Sequence, residues 1–249
     1  MISVIMGVNR YDEYLPKAIT SILEQSFSSF EFIIVANGVS CEEIESRILN
    51  VYPNEKRLKI IKTQIGQLAH ALNLGIDKAS YDYIARMDSD DVAWPSRLER
   101  QFLRLENSDL DMVGCDLRLI DELGNHLGIR IYPKGKDINR YLSFKNCFAH
   151  NTILIKKSVV LMARGYNSGF NSEDYDLWLR LRRLGAKWDN MSETLVDYRI
   201  HAGASQRRLL GYAESTALAL REFILNKTFN NLVAVGYHFF KSIFRPLDR

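Results

Sequence analysis

Asp88-Ser89-Asp90-Asp91 puts three carboxylates within four residues, directly after the apolar run Tyr83-Ile84-Ala85-Arg86-Met87. Carboxylates this close repel one another, and a fold tolerates them where a cation or solvent neutralises their charge. An N-cap for a helix starting near Pro95 would need only one such residue, placed immediately before the helix, so a metal or substrate role is favoured over capping. A second acidic group, Glu173, Asp174 and Asp176, opens a helical pattern that carries Leu177, Trp178, Leu181 and Leu184 and stops at Gly185. Acidic residues often decorate helix N-termini. The same position also keeps a carboxylate ionised through the helix dipole and free N–H groups, which suits a general base. His201, just beyond the strand-like Thr194 to Arg199, reads on its own as a histidine hydrogen-bonded in a loop.

The elements that must position these groups alternate. Ile2 to Val8 is a continuous apolar run of the kind found in a strand covered on both faces, and Phe32–Val35, Leu58–Ile61, Tyr83–Met87 and Met112–Val113 repeat it. Leu15, Ile19, Ile22 and Leu23 share one helical face, and Leu68, Ala71, Leu72 and Ile76 share another. Alternation through residue 114 implies parallel strands joined by right-handed crossovers. Ligands then bind beyond the carboxyl ends of the strands, at Gly7–Arg10, Asn37–Ser40 and Asp88–Asp91.

After residue 114 the rhythm changes. The turn cluster Asp121–Asn125 lies between Arg118–Ile120 and Ile129–Tyr132 and predicts a hairpin; Thr152–Ile155 reads as a short strand, followed by a helix capped by Ser158 and ending near Gly165. Trp178 and Trp188, at helical or strand spacing, are assigned to the core.

Composition narrows the classes. With 249 residues, 47% hydrophobic and 25% charged, the chain has enough apolar surface to fold without staples and is neither disordered nor collagen-like. A net charge of +3, with no interleaving of aromatic and basic residues, excludes a nucleic-acid partner on electrostatic grounds. Cys41, Cys115 and Cys147 are an odd number at unrelated spacings, which fits a reducing cytoplasm better than a disulfide framework or a metal knuckle. The opening MISVIMGV lacks the basic flank and cleavage site of a signal peptide and is too short to span a bilayer.

Ile84 to Asp91, followed by Pro95-Ser96-Arg97-Leu98, resembles the Asp-X-Asp segment of family 2 glycosyltransferases, inverting enzymes of the GT-A fold. Ser3–Met6, Ala18–Phe27 and Phe30–Gly38 are similar to that family's nucleotide-binding half, and Ser172–Arg180 and Tyr198–His201 to its acceptor half. The likeness covers residues 1–205 in the family's order, and extends more loosely to bacterial O-antigen and other surface-polysaccharide galactosyltransferases.

The resemblance implies an α/β protein: a Rossmann-like, mostly parallel central sheet flanked by helices, with a modified acceptor-binding second half and C-terminal helices. Residues 1–114 would form the nucleotide-sugar half, 115–205 the acceptor half and 206–249 a helical extension. The implied reaction moves a hexose, galactose from UDP-galactose by preference, onto a lipid-linked oligosaccharide. A UDP-N-acetylhexosamine donor is the nearest rival, and a non-catalytic nucleotide-sugar-binding module is the reading from another class.

By the same resemblance, Gly7, Asn37, Asp88 and Asp90 contact the donor. Asp90 and His201 ligate Mn2+ or Mg2+, with Asp91 a third candidate, and Arg199 contacts the diphosphate unless it serves a buried structural pair. Asp174 is the catalytic base, and Glu173 and His150 face the acceptor, with Gly165, Gly169 and Asn171 shaping its loop. Two departures stand out. Ala36-Asn37-Gly38-Val39 replaces the family's usual Asp-Asp-Gly-Ser, so an amide would read the base; Gly7-Val8-Asn9-Arg10 replaces Pro-Val-Tyr-Asn, leaving Tyr11 as the substitute aromatic wall.

Seven Lys and Arg (Arg207, Arg208, Arg221, Lys227, Lys241, Arg245, Arg249) against Glu214, Glu222 and Asp248 place the basic surplus in residues 200–249. There Phe229, Leu232, Val233, Gly236, Phe240, Ile243, Phe244 and Leu247 share one helical face, too polar overall to span a bilayer. The pattern admits a peripheral helix on the inner face of the plasma membrane, or a helix packed on the domain or on a second subunit as a homodimer.

Overall fold

The structure, a computed structural model, describes residues 1–167, 171–201 and 209–244, with the side chains of 209 and 210 left aside. Gly169, Arg207, Arg208, Arg245, Leu247, Asp248 and Arg249 lie outside the described residues.

The chain begins β1 (Ile2–Val8), α1 (Leu15–Leu23), β2 (Phe30–Asn37), α2 (Cys41–Val51), β3 (Leu58–Thr63), α3 (Leu68–Lys78) and β4 (Tyr83–Arg86). The first helix forms because Leu15, Ala18, Ile19 and Ile22 fall on one buried stripe. Its opening N–H groups are served by Asp12, whose Oδ1 accepts from Tyr14 and Leu15 at 3.1 and 3.2 Å. Strands β3-β2-β1-β4 lie side by side and parallel. Alternate side chains of β1 and β2 enter opposite cores: Ile5, Ile33 and Val35 join one, and Ile2, Val4, Met6, Phe32 and Ile34 the other. Burial on both faces explains why these strands read as unbroken apolar runs.

Beyond β4 the sheet becomes mixed. The chain continues with β5 (Val92–Ala93), α4 (Arg97–Asn107), β6 (Met112–Ile120), β7 (His126–Arg130) and α5 (Lys136–Tyr141). A 3-10 turn (His150–Thr152), β8 (Leu154–Lys156), α6 (Lys157–Met162), α7 (Glu173–Arg183) and β9 (Trp188–Arg199) follow. Strand β8 is wedged antiparallel between β4 and β6, β9 runs parallel to β6, β5 closes the edge beside β9, and β7 folds back on β6 as the expected hairpin. The two-residue β5 leaves no periodicity in the sequence. Ser158 is not the cap of α6: Lys156 occupies that position and Ser158 lies in the first turn. Helices α8 (Leu209–Leu225) and α9 (Phe229–Phe244) form a hairpin, with Leu218 entering the core that holds Trp178 and Trp188. All three cysteines are free and buried.

Candidate active site

A cleft of about 750 Å³ opens at the carboxyl ends of β1, β2 and β4, and Gly7, Asn37, Asp88, Asp90, His150, Glu173, Asp174 and His201 all line it. Its size is ordinary for a pocket that takes a small-molecule or cofactor ligand. Gly7 and Asn37 lie on strand ends, Asp88 and Asp90 just beyond β4, His150 on the 3-10 turn, Glu173 and Asp174 on the first turn of α7, and His201 two residues past β9.

At the end of β1, a Cβ at Gly7 would approach within 3.0 Å of Leu68 Cδ1, so the glycine lets the cleft floor meet α3. Asn37 is buried and its Nδ2 donates to the carbonyl of Val35 at 3.2 Å, which leaves Oδ1 to accept from a ligand. Tyr11 does not line the cleft; it packs against the core beneath the guanidinium of Arg47.

Asp88, Asp90 and Asp91 can each bring one carboxylate oxygen within 4.8 Å of the others. Asp88 pairs with Arg86, and Asp90 Oδ2 lies 2.8 Å from His201 Nε2. Burial pushes the Asp90 carboxyl up, as does the charge of Asp88, against the hydrogen bond from His201. Two carboxylates and an imidazole are hard and borderline donors that suit Mn2+ and Mg2+, with the imidazole tilting the set toward Mn2+. Asp91 takes a different part: it is fully buried outside the cleft, and its oxygens accept from the Arg199 N–H at 2.8 Å and from Asn151. Arg199 is also buried. It donates to the carbonyls of Asp90, Asp121 and Glu122, each at 3.0 Å, and stacks over Tyr14 at 4.6 Å, so it clamps the end of β9 and does not line the cleft.

At the N-terminus of α7, Asp174 is half-buried and accepts from Asn146 Nδ2 and from the Tyr175 N–H, both at 2.6 Å. The helix N-terminus is expected to keep this carboxylate ionised; instead burial outweighs the donors and Arg86, and its pKa is raised. Glu173 is pushed up to about 7, first by burial and then by the adjacent charge of Asp174. His150 Nδ1 lies 3.9 Å from Glu173, and its Nε2 meets the Tyr166 hydroxyl at 2.7 Å. Burial and the nearby Arg86 hold the imidazole pKa well below its ordinary value, so this histidine is neutral. Trp178 and Trp188 are in the core, as their spacing predicts.

Three contributors escape a reading by motif alone. Arg86 is buried at the seam between the two acidic groups; its charge acts on Asp88, Glu173, Asp174 and His150, and its Nε has no hydrogen-bond partner among the described residues. An arginine inside an otherwise apolar strand is the signal that marks it. Asn146 and Tyr166 come from irregular segments and carry none.

The model of the family described as glycosyl transferase family 2 matches residues 3–163. The chain is 48% identical to the O-antigen biosynthesis glycosyltransferase WbnJ of Escherichia coli, over 98% of this chain and 97% of that one. It is 29% identical to the UDP-Gal:alpha-D-GlcNAc-diphosphoundecaprenol beta-1,3-galactosyltransferase of Escherichia coli, over 83% of this chain and 76% of the relative. Among solved structures, S. aureus TarS 1-349 in complex with UDP-GlcNAc superposes with a TM-score of 0.75 at 16% identity, covering 99% of this chain and 76% of that one. The mannosyltransferase PcManGT from Pyrobaculum calidifontis, in complex with GDP-Man and Mn2+, gives 0.64 at 14% identity, covering 99% and 76%. These neighbours share the GT-A architecture of the mixed sheet. Family model, relative matched along its length and fold agree, and the chain belongs to glycosyl transferase family 2.

Proposed function

We propose that this protein transfers a hexose from a UDP-sugar, galactose from UDP-galactose in its most specific form, to a lipid-linked saccharide during O-antigen or other surface-polysaccharide synthesis, with inversion at the anomeric carbon. One observation carries the reading: Asp88, Asp90 and His201 share a single cleft with Glu173 and Asp174. The galactose assignment draws on the relative named for UDP-Gal, and the pathway on the relative named for O-antigen biosynthesis. A UDP-N-acetylhexosamine donor remains the rival, since a structural neighbour holds UDP-GlcNAc.

In this reading residues 1–114 hold the nucleotide sugar and 115–205 the acceptor. Gly7 and Asn37 receive the nucleotide, and Asp88 and Asp90 face the ribose and diphosphate. Asp90 and His201 would hold Mn2+ or Mg2+, which supplies positive charge for the departing diphosphate. Asp174 takes the acceptor hydroxyl's proton as that oxygen attacks the anomeric carbon from the face opposite the leaving group. Asn146 orients the Asp174 carboxylate, and Glu173 and His150 accept or donate hydrogen bonds to the acceptor's other hydroxyls. The protein works on the cytoplasmic side of the membrane that carries its acceptor.

A panel of nucleotide sugars, each with Mn2+, tests the donor by protection against thermal unfolding. UDP-galactose should protect most; stronger protection by UDP-N-acetylglucosamine transfers the assignment to the rival. Nucleotide-sugar binding with no transfer to any acceptor would instead favour a binding module, and transfer that survives Asp174→Asn would remove Asp174 as the base.

A further inference from the structure

Helix α9 is built inside out with respect to its own amphipathicity. The residues it turns toward the domain are Asn231, Ala234 and His238, at 7%, 2% and 4% exposure. His238 Nε2 lies 3.0 Å from the Ser143 carbonyl and 3.5 Å from the Tyr175 hydroxyl, and Asn231 Nδ2 donates to the carbonyls of Glu222 and Asn226 at 3.3 and 2.9 Å. The apolar stripe points the other way. Phe229, Phe244, Phe240 and Ile243 are 82%, 73%, 59% and 56% exposed, and Ile224 and Leu225 of α8 add 61% and 59% beside them. A helix that served only to cover the domain would bury this face. Here the domain holds α9 by a narrow polar seam and leaves the apolar side without cover.

Charge selects the occupant. From 223 to 247 the sequence has no Asp or Glu, while Lys227, Lys241 and Arg245 are basic. A second copy of the chain seated on the same face would bring like charges together with no carboxylate to neutralise them. Aromatic and aliphatic side chains flanked by lysine match a lipid bilayer with anionic headgroups, in which the rings enter the acyl boundary and the ammonium groups stay at the phosphates. No described helix is long and apolar enough to cross a membrane.

We infer that the outward face of the α8–α9 hairpin lies on an anionic bilayer surface, and that the polar seam through His238 and Tyr175 fixes that surface to α7, whose first turn carries Asp174. This deepens the proposed reading by naming the surface from which a lipid-linked acceptor would be taken. It stands or falls without the sugar chemistry, because the binding measurement uses neither donor nor acceptor.

Sedimentation of the full chain with phosphatidylcholine vesicles, with or without phosphatidylglycerol, tests it. Pelleting should require phosphatidylglycerol and fall on the order of tenfold for Phe229→Ser/Phe240→Ser and for Lys227→Glu/Lys241→Glu. Phe229, Phe240 and Lys227 are exposed and Lys241 is half-buried beside the rings of Tyr212 and Tyr237, so an unchanged unfolding temperature and unchanged nucleotide binding would show that the variants fold. Failure to pellet with either vesicle, pelleting unaffected by the substitutions, or a solution dimer dissolved by the same phenylalanine replacements would overturn the inference.

Discussion

The side-chain amide of Asn73 on α3 exchanges two hydrogen bonds with the backbone of Tyr166, 93 residues away: Nδ2 donates to the carbonyl and Oδ1 accepts from the N–H, each at 2.8 Å. The bracket joins a helix of the N-terminal β-α repeat to the turn that carries Tyr166, whose hydroxyl in turn meets His150. Gly165 makes the approach possible. At φ +64°, it would place any Cβ 2.4 Å from Asn73 Oδ1.

Gly165→Ala should therefore cost on the order of 1–3 kcal/mol, from the left-handed backbone and the clash together. Asn73→Ala, which leaves two backbone groups of Tyr166 unpaired, should cost a similar amount. Thermal unfolding reads the stability. Kinetics should show the acceptor KM rising more than the donor KM, and equal changes in both would mean that the bracket serves stability alone.

Asp174→Asn keeps the shape of the carboxylate and its contact with the Tyr175 N–H but removes the proposed base. Transfer should fall by a factor of roughly 10²–10⁴ while UDP affinity stays within about threefold, measured by steady-state kinetics and calorimetry. The less direct Asn146→Ala should lower kcat by a smaller factor and shift the acidic limb of its pH profile.

The proposed metal site at Asp90 and His201 should respond to chelation. Asp90→Asn and His201→Gln are each expected to weaken Mn2+-dependent UDP binding by tenfold or more on the order of magnitude seen for lost metal ligands and their partners. Asp91→Asn should behave differently: its partners are the Arg199 N–H and Asn151, so it should lower the unfolding temperature before it alters metal response.

Glu173 makes a pH prediction of definite sign. Its pKa rises from 4.5 to about 7 on folding, so the native state binds more protons than the unfolded chain between those values. The protein is favoured by this group at low pH and loses that advantage as pH climbs from 4.5 to 7. Glu173→Gln should consequently raise stability above neutral pH, by on the order of 1–3 kcal/mol, and have little effect near pH 4. Urea titrations at the two pH values check it. Since burial also raises the Asp174 pKa, transfer should increase with pH through the acidic range, with its limb above that of a solvated aspartate.

What could be read directly was whatever is local in the chain. Strands covered on both faces must be apolar throughout, and helices packed on them must repeat at helical spacing, so β1 to β4 and α1, α3 and α7 were legible, as was the acidic cluster at the end of β4. The apolar run Thr152–Ile155 also announced β8, but β5 and the 3-10 turn, too short to show a period, are held by partners elsewhere in the chain. Likewise the motif placed Asp88, Asp90 and Asp91 together, but only burial separates the two that line the cleft from the one bonded to Arg199 and Asn151.

The chain's apolar periods and its acidic spacings thus determined an α/β architecture, the location of the Asp88–Asp91 carboxylates beyond β4 and the amphipathic stripe of α9. Tertiary structure decided which way each group faces. Packing brought Arg86 between the two acidic groups, raised the pKa of Glu173 and Asp174 through desolvation, closed the Asn73–Tyr166 bracket, and turned the apolar side of α9 away from the domain. Such properties depend on what surrounds an atom in space, and residues distant along the chain supply most of those surroundings.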